Sequence, residues 1–435
     1  MPIDDTKLFT INVNGPQTKM KKWSVIYGSR LSNATEATLR YLAQHFDLID
    51  CNPYSTGQPH NHEKLALLKQ YAAQDYNNQS IKGIGYYYWL SSNIATFPED
   101  WYVHYDGYVD STHRVYEGGS TTQAFMQPKA GLTPYQGYTG WREYYTGACY
   151  NGLMDEVHGL MYDGVFNDNV YWTLSRIDGD FSTLIPTSRW TDETGAPITQ
   201  AQWGAGVYDS FVYQQSILDT VSNGRNISMM NCGSMGVQMS PATNWACYEH
   251  WIHSLRSSYL NYWGGTEGSA LWGVSHVNNV HLMQSNGAYT GLLSGCAQDA
   301  GYNDWLLYCY CCGLLACVDL EHTYYAWNFY GDDVNNGWIQ YPMDVQVGQP
   351  ITSWGTATDI RNTPMYIHEH TWDPYGFQYH GGVFAREFEN YWVVVNFAGA
   401  IQGQPVDPQL TWTWTDPNEG THIIGGKKAL LWQKT

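Results

Sequence analysis

The sequence predicts an α/β protein: a (β/α)₈ TIM barrel followed by a small antiparallel β-sandwich. Three observations predict it. Short apolar runs alternate with stretches of helical period, eight times over about 310 residues, and strands that alternate with helices form a parallel sheet. The turn after the first run, Gly28-Ser29-Arg30-Leu31, carries neither a GxGxxG nor a Walker pattern, which argues against an open dinucleotide-type sheet. Beyond residue 336 the helical period gives way to short runs of period two.

The elements follow in order. Residues 1–22 read as a polar N-terminal arm, 23–335 as the barrel and 336–435 as the β-sandwich. Trp23–Gly28 is the first strand. Asn33 with Glu36 three residues on has capping-box spacing, and Leu39, Leu42 and Phe46 follow at helical spacing. Phe46–Cys51 is the second strand, Asn52–His62 a polar loop, Glu63–Gln74 a helix and Ile81–Leu90 the third strand. Ser91–Gly140 has no clean period and reads as a long loop over one end of the barrel, with short helices of its own. Trp141–His158 is helical. Met161–Val170 is the fourth strand, apolar first and polar at its C-terminal end. Gln200–Asn223 is a long helix. Ile227–Gly233, Trp245–Trp251, Gly291–Cys296 and Thr323–Phe329 are strands five to eight, with the apolar helix Tyr302–Asp319 before the last. In the sandwich, Val383–Phe388 and Trp392–Phe397 form a hairpin, followed by Leu410–Trp414 and Ala429–Gln433.

Among 435 residues, 40 Asp and Glu stand against 21 Lys and Arg, a net charge of −19. That balance argues against nucleic acid or an anionic membrane as partner, since both demand basic patches. Aromatic residues make up 16%, with 36 Tyr and 20 Trp against 12 Phe. Tyr and Trp combine a flat apolar face with a polar tip, suited to core packing and to stacking on sugar rings. The nine Cys are scattered through apolar runs without CxxC spacing, which points to folding in a reducing compartment. The N-terminus lacks a signal-peptide pattern, and no apolar run is long enough for membrane insertion. The expectation is a protein folded in a cytosol, cytoplasmic or carried in a virion. Assembly as a homo-oligomer or in a virion is compatible with it.

A parallel barrel carries its chemistry at the C-terminal ends of its strands. Strand four ends in Asn167-Asp168-Asn169 and strand six in Glu249-His250. Two carboxylates on separate strand ends, among Tyr, Trp and Asn, are what glycoside hydrolysis needs: one neutral acid and one ionised nucleophile or base. Asp168 is the candidate nucleophile or base and Glu249 the candidate acid. Tyr27, Asn52, Tyr87, Trp89, Asn169, Asn231, Trp263 and Trp327 are the candidate substrate-binding residues. Asp163 reads as a structural group at the start of strand four. Glu321 and His322 precede strand eight, at the wrong end, and Asp299 and Asp304 read as helix N-terminal acids.

No cofactor or metal is expected. His60-Asn61-His62 and His368-Glu369-His370 have HxH spacing in what read as polar loops, without an HExxH companion. Asp332–Gly337 fails as a calcium loop, because Val334 holds its third position. No GxSxG elbow is present.

Several runs resemble a known family. Tyr162-Asp163-Gly164-Val165-Phe166-Asn167-Asp168-Asn169 resembles the fourth strand of glycosyl-hydrolase barrels that microbial genomes encode without an assigned activity. These are distantly similar to endo-polygalactosaminidases. Phe46–Asp50 is similar to their second strand, Lys82–Tyr87 to their third, and Val383–Asn390 with Val393–Asn396 to the hairpin of their terminal β-sandwich. The resemblance implies a glycosidase-type barrel acting on a polysaccharide or glycan, with Asp168 and Glu249 as its carboxylates. Departures are Tyr391 in place of the hairpin glycine, Asn167 in place of an apolar residue, and nine Cys without a signal in a family commonly exported. They keep a second expectation open: a catalytically degenerate barrel that binds carbohydrate, or a structural protein of a virion or tail.

Overall fold

The structure, a computed structural model, describes residues 19–26, 31–52, 61–76, 78, 80–118, 120–155, 159–181, 185–249, 251–252, 270–294, 302–327, 343–372, 379–397, 412–416, 420–424 and 428–434. Eight parallel strands close into a barrel: β1 (Lys21–Ile26), β2 (Leu48–Cys51), β3 (Lys82–Tyr88), β4 (Gly164–Asp168), β5 (Ile227–Asn231), β6 (Trp245–Glu249), β7 (Tyr289–Ser294) and β8 (Thr323–Trp327). Each pairs with its neighbours in chain order, and β8 returns to β1.

Along each strand alternate side chains point inward. Trp23, Val25, Leu48, Ile84, Phe166, Ile227, Met229, Trp245, Leu293 and Tyr324 fill the barrel's interior. The Trp23 indole takes much of that space. A Cβ on Gly291 of β7 would stand 2.8 Å from its ring, so glycine is required there. The outward residues pack under the helices α1 (Glu36–His45), α2 (Asn61–Asp75), α3 (Trp141–Met154), α4 (Leu174–Phe181), α5 (Gln200–Leu218), α6 (Gly236–Met239), α7 (Ala270–Ser285) and α8 (Tyr302–Ala316).

The cap of α1 differs from the expected one. Thr35, not Asn33, is its N-cap, and its hydroxyl accepts the Thr38 N–H at 3.2 Å. A hydroxyl directly ahead of the first turn meets the free N–H groups that Asn33 is too far back to cap. Helix α5 carries a full capping box between Thr199 and Gln202. Asp163 binds the Gly83 N–H at 2.7 Å and the Lys69 ammonium at 2.6 Å, tying the start of β4 to β3 and α2.

Asn167, the polar intruder in β4, faces outward and is fully buried. Its Oδ1 accepts from the Tyr145 hydroxyl at 2.9 Å and from Gln214 Nε2 at 3.0 Å. Its Nδ2 donates to Gln214 Oε1 at 2.9 Å and Ser228 Oγ at 3.3 Å. A buried amide is tolerated when its hydrogen bonds are met, and this one joins α3, β4, α5 and β5.

The 91–140 region is built mainly of very short strands and 3₁₀ turns. Ser91–Ser92 pairs with Ala124–Phe125, and His104–Tyr105 pairs with Trp190–Thr191 from the segment after β4.

The C-terminal region contains an antiparallel sheet of four strands in the order β9 (Tyr366–Trp372), β10 (Tyr379–Glu387), β11 (Tyr391–Asn396) and β14 (Lys428–Gln433). Between the last two lies the hairpin β12 (Trp412–Asp416) and β13 (Gly420–Ile424). One sheet face, with Phe384, Val393, Val395 and Leu431, joins the core under α7 and α8. The other, with Val383, Ala385 and Val394, packs on Ile424 of the hairpin. Arg386 is buried at the first of these contacts. Its guanidinium donates to the carbonyls of Leu314 (2.7 Å), Leu315 (3.2 Å) and Cys317 (2.6 Å) at the end of α8, and to that of Thr352 (3.0 Å).

No helix among the described residues is long and apolar enough to cross a membrane.

Candidate active site

The C-terminal ends of β3, β4, β5 and β6 bring a polar group together over the apolar barrel interior. Asp168 is the last residue of β4, and Tyr88 stands opposite it on β3. Asn231 ends β5 and Glu249 ends β6. The Asn231 side-chain amide joins the two acids. Its Nδ2 donates to Asp168 Oδ1 at 2.7 Å and also to Glu249 Oε2. Asp168 receives two further bonds, from the Tyr86 hydroxyl to Oδ2 and from the Asn169 N–H to Oδ1 at 2.9 Å. Asn169 takes a left-handed backbone, φ 58°, a conformation asparagine tolerates better than most residues. That turn lets its N–H fold back onto the carboxylate of the residue before it.

Burial raises the Asp168 carboxyl above the ordinary carboxylate range, and the bonds from Tyr86, Asn231 and the Asn169 N–H hold it back. The long insert reaches the same place. The Tyr88 hydroxyl donates to Glu117, which also accepts the Ser91 hydroxyl at 2.6 Å. Just beyond β6, Ile252 is buried with φ 62°, a strained conformation for a β-branched side chain.

The other sequence candidates are placed differently. Tyr87 and Trp89 lie on the outer side of the barrel. Tyr87 packs edge-on to Tyr145 of α3, and Trp89 is buried against Trp141, Tyr145 and Phe211. Period two decides this: Ile84 and Phe166 point inward, so Tyr86 and Tyr88 do too, and the odd-numbered pair cannot. Trp327 is buried in the outer core. Asn52 follows β2, and its carbonyl accepts from Asn61 Nδ2 at 3.0 Å and the Tyr162 hydroxyl at 3.2 Å. Tyr27 and Trp263 lie outside the described residues, as do His60, His250, Asp299 and the 332–337 run.

Sequence reasoning passed over Tyr86 and Asp50. Asp50 lies on β2, two residues beyond the inward Leu48, and is fully buried. The available signal was a carboxyl at an inward position of an apolar strand.

The described histidines of the HxH runs are not in loops. His62 belongs to the first turn of α2, and His368 and His370 to β9. Among the described residues no three His, Cys, Asp or Glu side chains are grouped to hold a metal ion.

No protein family matches the chain, and no curated protein does. Solved structures align with it at low similarity. The glycoside hydrolase domain of PelA from Pseudomonas aeruginosa aligns with a TM-score of 0.41 at 10% identity, over 72% of this chain and 95% of that one. A GH18 chitinase from Pseudoalteromonas aurantia aligns at 0.36 and 9%, over 73% and 96%. The gamma-CGTase of Alkalophilic bacillus clarkii aligns at 0.39 and 10%, over 97% and 71%.

Proposed function

We propose that the barrel hydrolyses a glycosidic bond of a polysaccharide, with Asp168 as nucleophile and Glu249 as general acid and base. The observation that carries this is the single Asn231 amide bonded to both carboxylates. Two hydrogen bonds end to end keep the nearest carboxylate oxygens within about 6 Å. That separation suits a retaining mechanism, at about 5–5.5 Å, better than an inverting one, which needs about 6.5–9.5 Å to admit a water.

The chemistry runs in two steps. Glu249, protonated, gives its proton to the glycosidic oxygen as the C1–O bond breaks and an Asp168 oxygen bonds to C1. Glu249, now ionised, takes a proton from water. The water oxygen bonds to C1, and Asp168 leaves as the carboxylate. Asp168 is assigned the anionic role because three donors converge on it. With a net charge of −19, the chain favours a neutral or basic glycan over an acidic one.

The test is a polysaccharide panel read by reducing-sugar release, with the anomer of the first product followed by NMR. Release with retained configuration is expected, and Glu249→Gln should lower kcat by about 10²–10⁴-fold. Binding to a glycan without release by the wild type would replace the enzyme with a carbohydrate-binding barrel.

Asn231→Leu tests the shared amide. A hydrogen bond to a charged group contributes about 1.5–3 kcal/mol. Losing this donor disfavours ionised Asp168, so its pKa rises. The acid limb of the pH–rate profile should therefore move up by about 1–2 pH units. An unmoved limb would show that the amide does not govern Asp168.

A further inference from the structure

Asp50 is unlike the other acids of the barrel. It is 0% exposed, and among the described residues neither carboxyl oxygen has a hydrogen-bond partner. Its inward neighbours on β1, β2 and β3 are Val25, Leu48 and Ile84, with Val25 and Ile84 in register beside it. Among the described residues, the titratable groups that interact with it electrostatically are Tyr86 of β3, Tyr162 ahead of β4, Asp168 of β4, Cys247 of β6 and its own neighbour Cys51. None of these is a cation. Asp168, by contrast, accepts from a hydroxyl, an amide and a backbone N–H.

Two acids close enough to repel, one with three donors and one with none, cannot share charge equally. The anion settles where the donors are, and the proton where they are not. We infer that Asp50 is a positioning residue that keeps its proton throughout the working range, so that the negative charge of the pair falls on Asp168. Burial, and then the charge of Asp168, push the Asp50 carboxyl well above the usual carboxylate range, in the same direction. The side chain touches no substrate in this scheme. A charge on Asp50 would oppose the ionisation of Asp168, and its neutrality removes that opposition.

The inference rests on the glycosidase reading for its kinetic arm alone. The decisive arm is stability against pH for wild type and Asp50→Asn. In the unfolded chain Asp50 releases its proton above about pH 4. In the folded chain it keeps it, so unfolding releases a proton and wild-type stability falls as pH rises. Relative to Asp50→Asn, the wild-type folding constant should drop tenfold per pH unit above about pH 4, until Asp50 itself ionises. Parallel curves would overturn the inference. In the kinetic arm, Asp50→Asn swaps one neutral group for another and should leave the acid limb of kcat/KM in place. A limb moved down by about one pH unit or more would mean that a charged Asp50 had been acting on Asp168. Should Asp50→Asn not fold, infrared spectroscopy of the Asp168→Asn, Glu249→Gln double variant decides, since Glu249 would otherwise contribute its own protonated band. A protonated-carboxyl band persisting at neutral pH supports the inference, and its absence overturns it. The stability and infrared arms need no enzymatic activity, so a failure of the glycosidase reading would be seen separately.

Discussion

Asp168→Asn should abolish glycan cleavage while leaving the protein as stable as before, or more so. Removing a nucleophile that acts within a catalytic unit costs about 10⁴-fold or more in kcat. The amide has nearly the shape of the carboxylate it replaces, so the barrel mouth keeps its packing. The stability expectation follows from the raised carboxyl. An acid whose folded-state pKa lies above its unfolded value weakens the fold as pH rises from about 4 through that folded value. Each tenfold displacement of the equilibrium is worth about 1.4 kcal/mol. The asparagine variant lacks this loss, so its advantage is absent at low pH and grows toward neutrality. The lost acceptor for Tyr86 and Asn231 offsets part of it. Denaturant titrations at pH 4 and pH 7, beside reducing-sugar assays, check both halves. A variant that keeps wild-type turnover would clear Asp168 of the nucleophile's role.

The second large effect concerns stability alone. Arg386→Met should destabilise the protein by about 2–4 kcal/mol. The methionine fills much of the same space, but it leaves the carbonyls of Leu314, Leu315, Cys317 and Thr352 without the donor they now share. A buried acceptor stripped of its partner costs about 1–3 kcal/mol. The sum stays below four such losses because the Leu315 carbonyl keeps the Trp354 indole N–H at 2.9 Å, and because the guanidinium is itself buried, among the described residues, without a carboxylate partner, and burial pushes its pKa below the ordinary value. Removing that desolvation returns part of the loss. The damage should concentrate where the four-stranded sheet meets α8, because Arg386 sits on β10 and its acceptors close that helix. Urea unfolding measures the total. Hydrogen exchange of the last α8 turn and of β10 shows where it falls, and unchanged exchange there would refute the assignment.

Much of the architecture can be read directly from residue order. The apolar runs at Trp23, Leu48, Ile84, Val165, Ile227, Ala246, Leu292 and Tyr324 are short and separated by helical stretches, and each lies in a barrel strand. The acids at the ends of the fourth and sixth runs follow from position alone. Facing was harder. Tyr86, Tyr87, Tyr88 and Trp89 are four aromatic residues in a row, so no polar–apolar alternation shows which pair points inward. Register with Phe166 and Asp168 decides it, and register is a property of the neighbouring strand. Asp50 was hidden for the related reason that a lone acid in an apolar strand has no visible partner, and among the described residues it has no hydrogen-bond partner in space either.

Residue order alone sets the number and order of the barrel strands, the antiparallel C-terminal sheet and the presence of Asp168 and Glu249 at strand ends. Periodicity and turn chemistry are local and survive without knowledge of neighbours. Three things come from packing in space instead: one amide, from Asn231, spans both acids, Tyr86 rather than Tyr87 donates to Asp168, and Asp50 lies in the barrel without a hydrogen-bond partner among the described residues. Those facts depend on which strands adjoin and in what register. Closing the barrel sets both, because it places residues from distant parts of the chain within a hydrogen bond's reach.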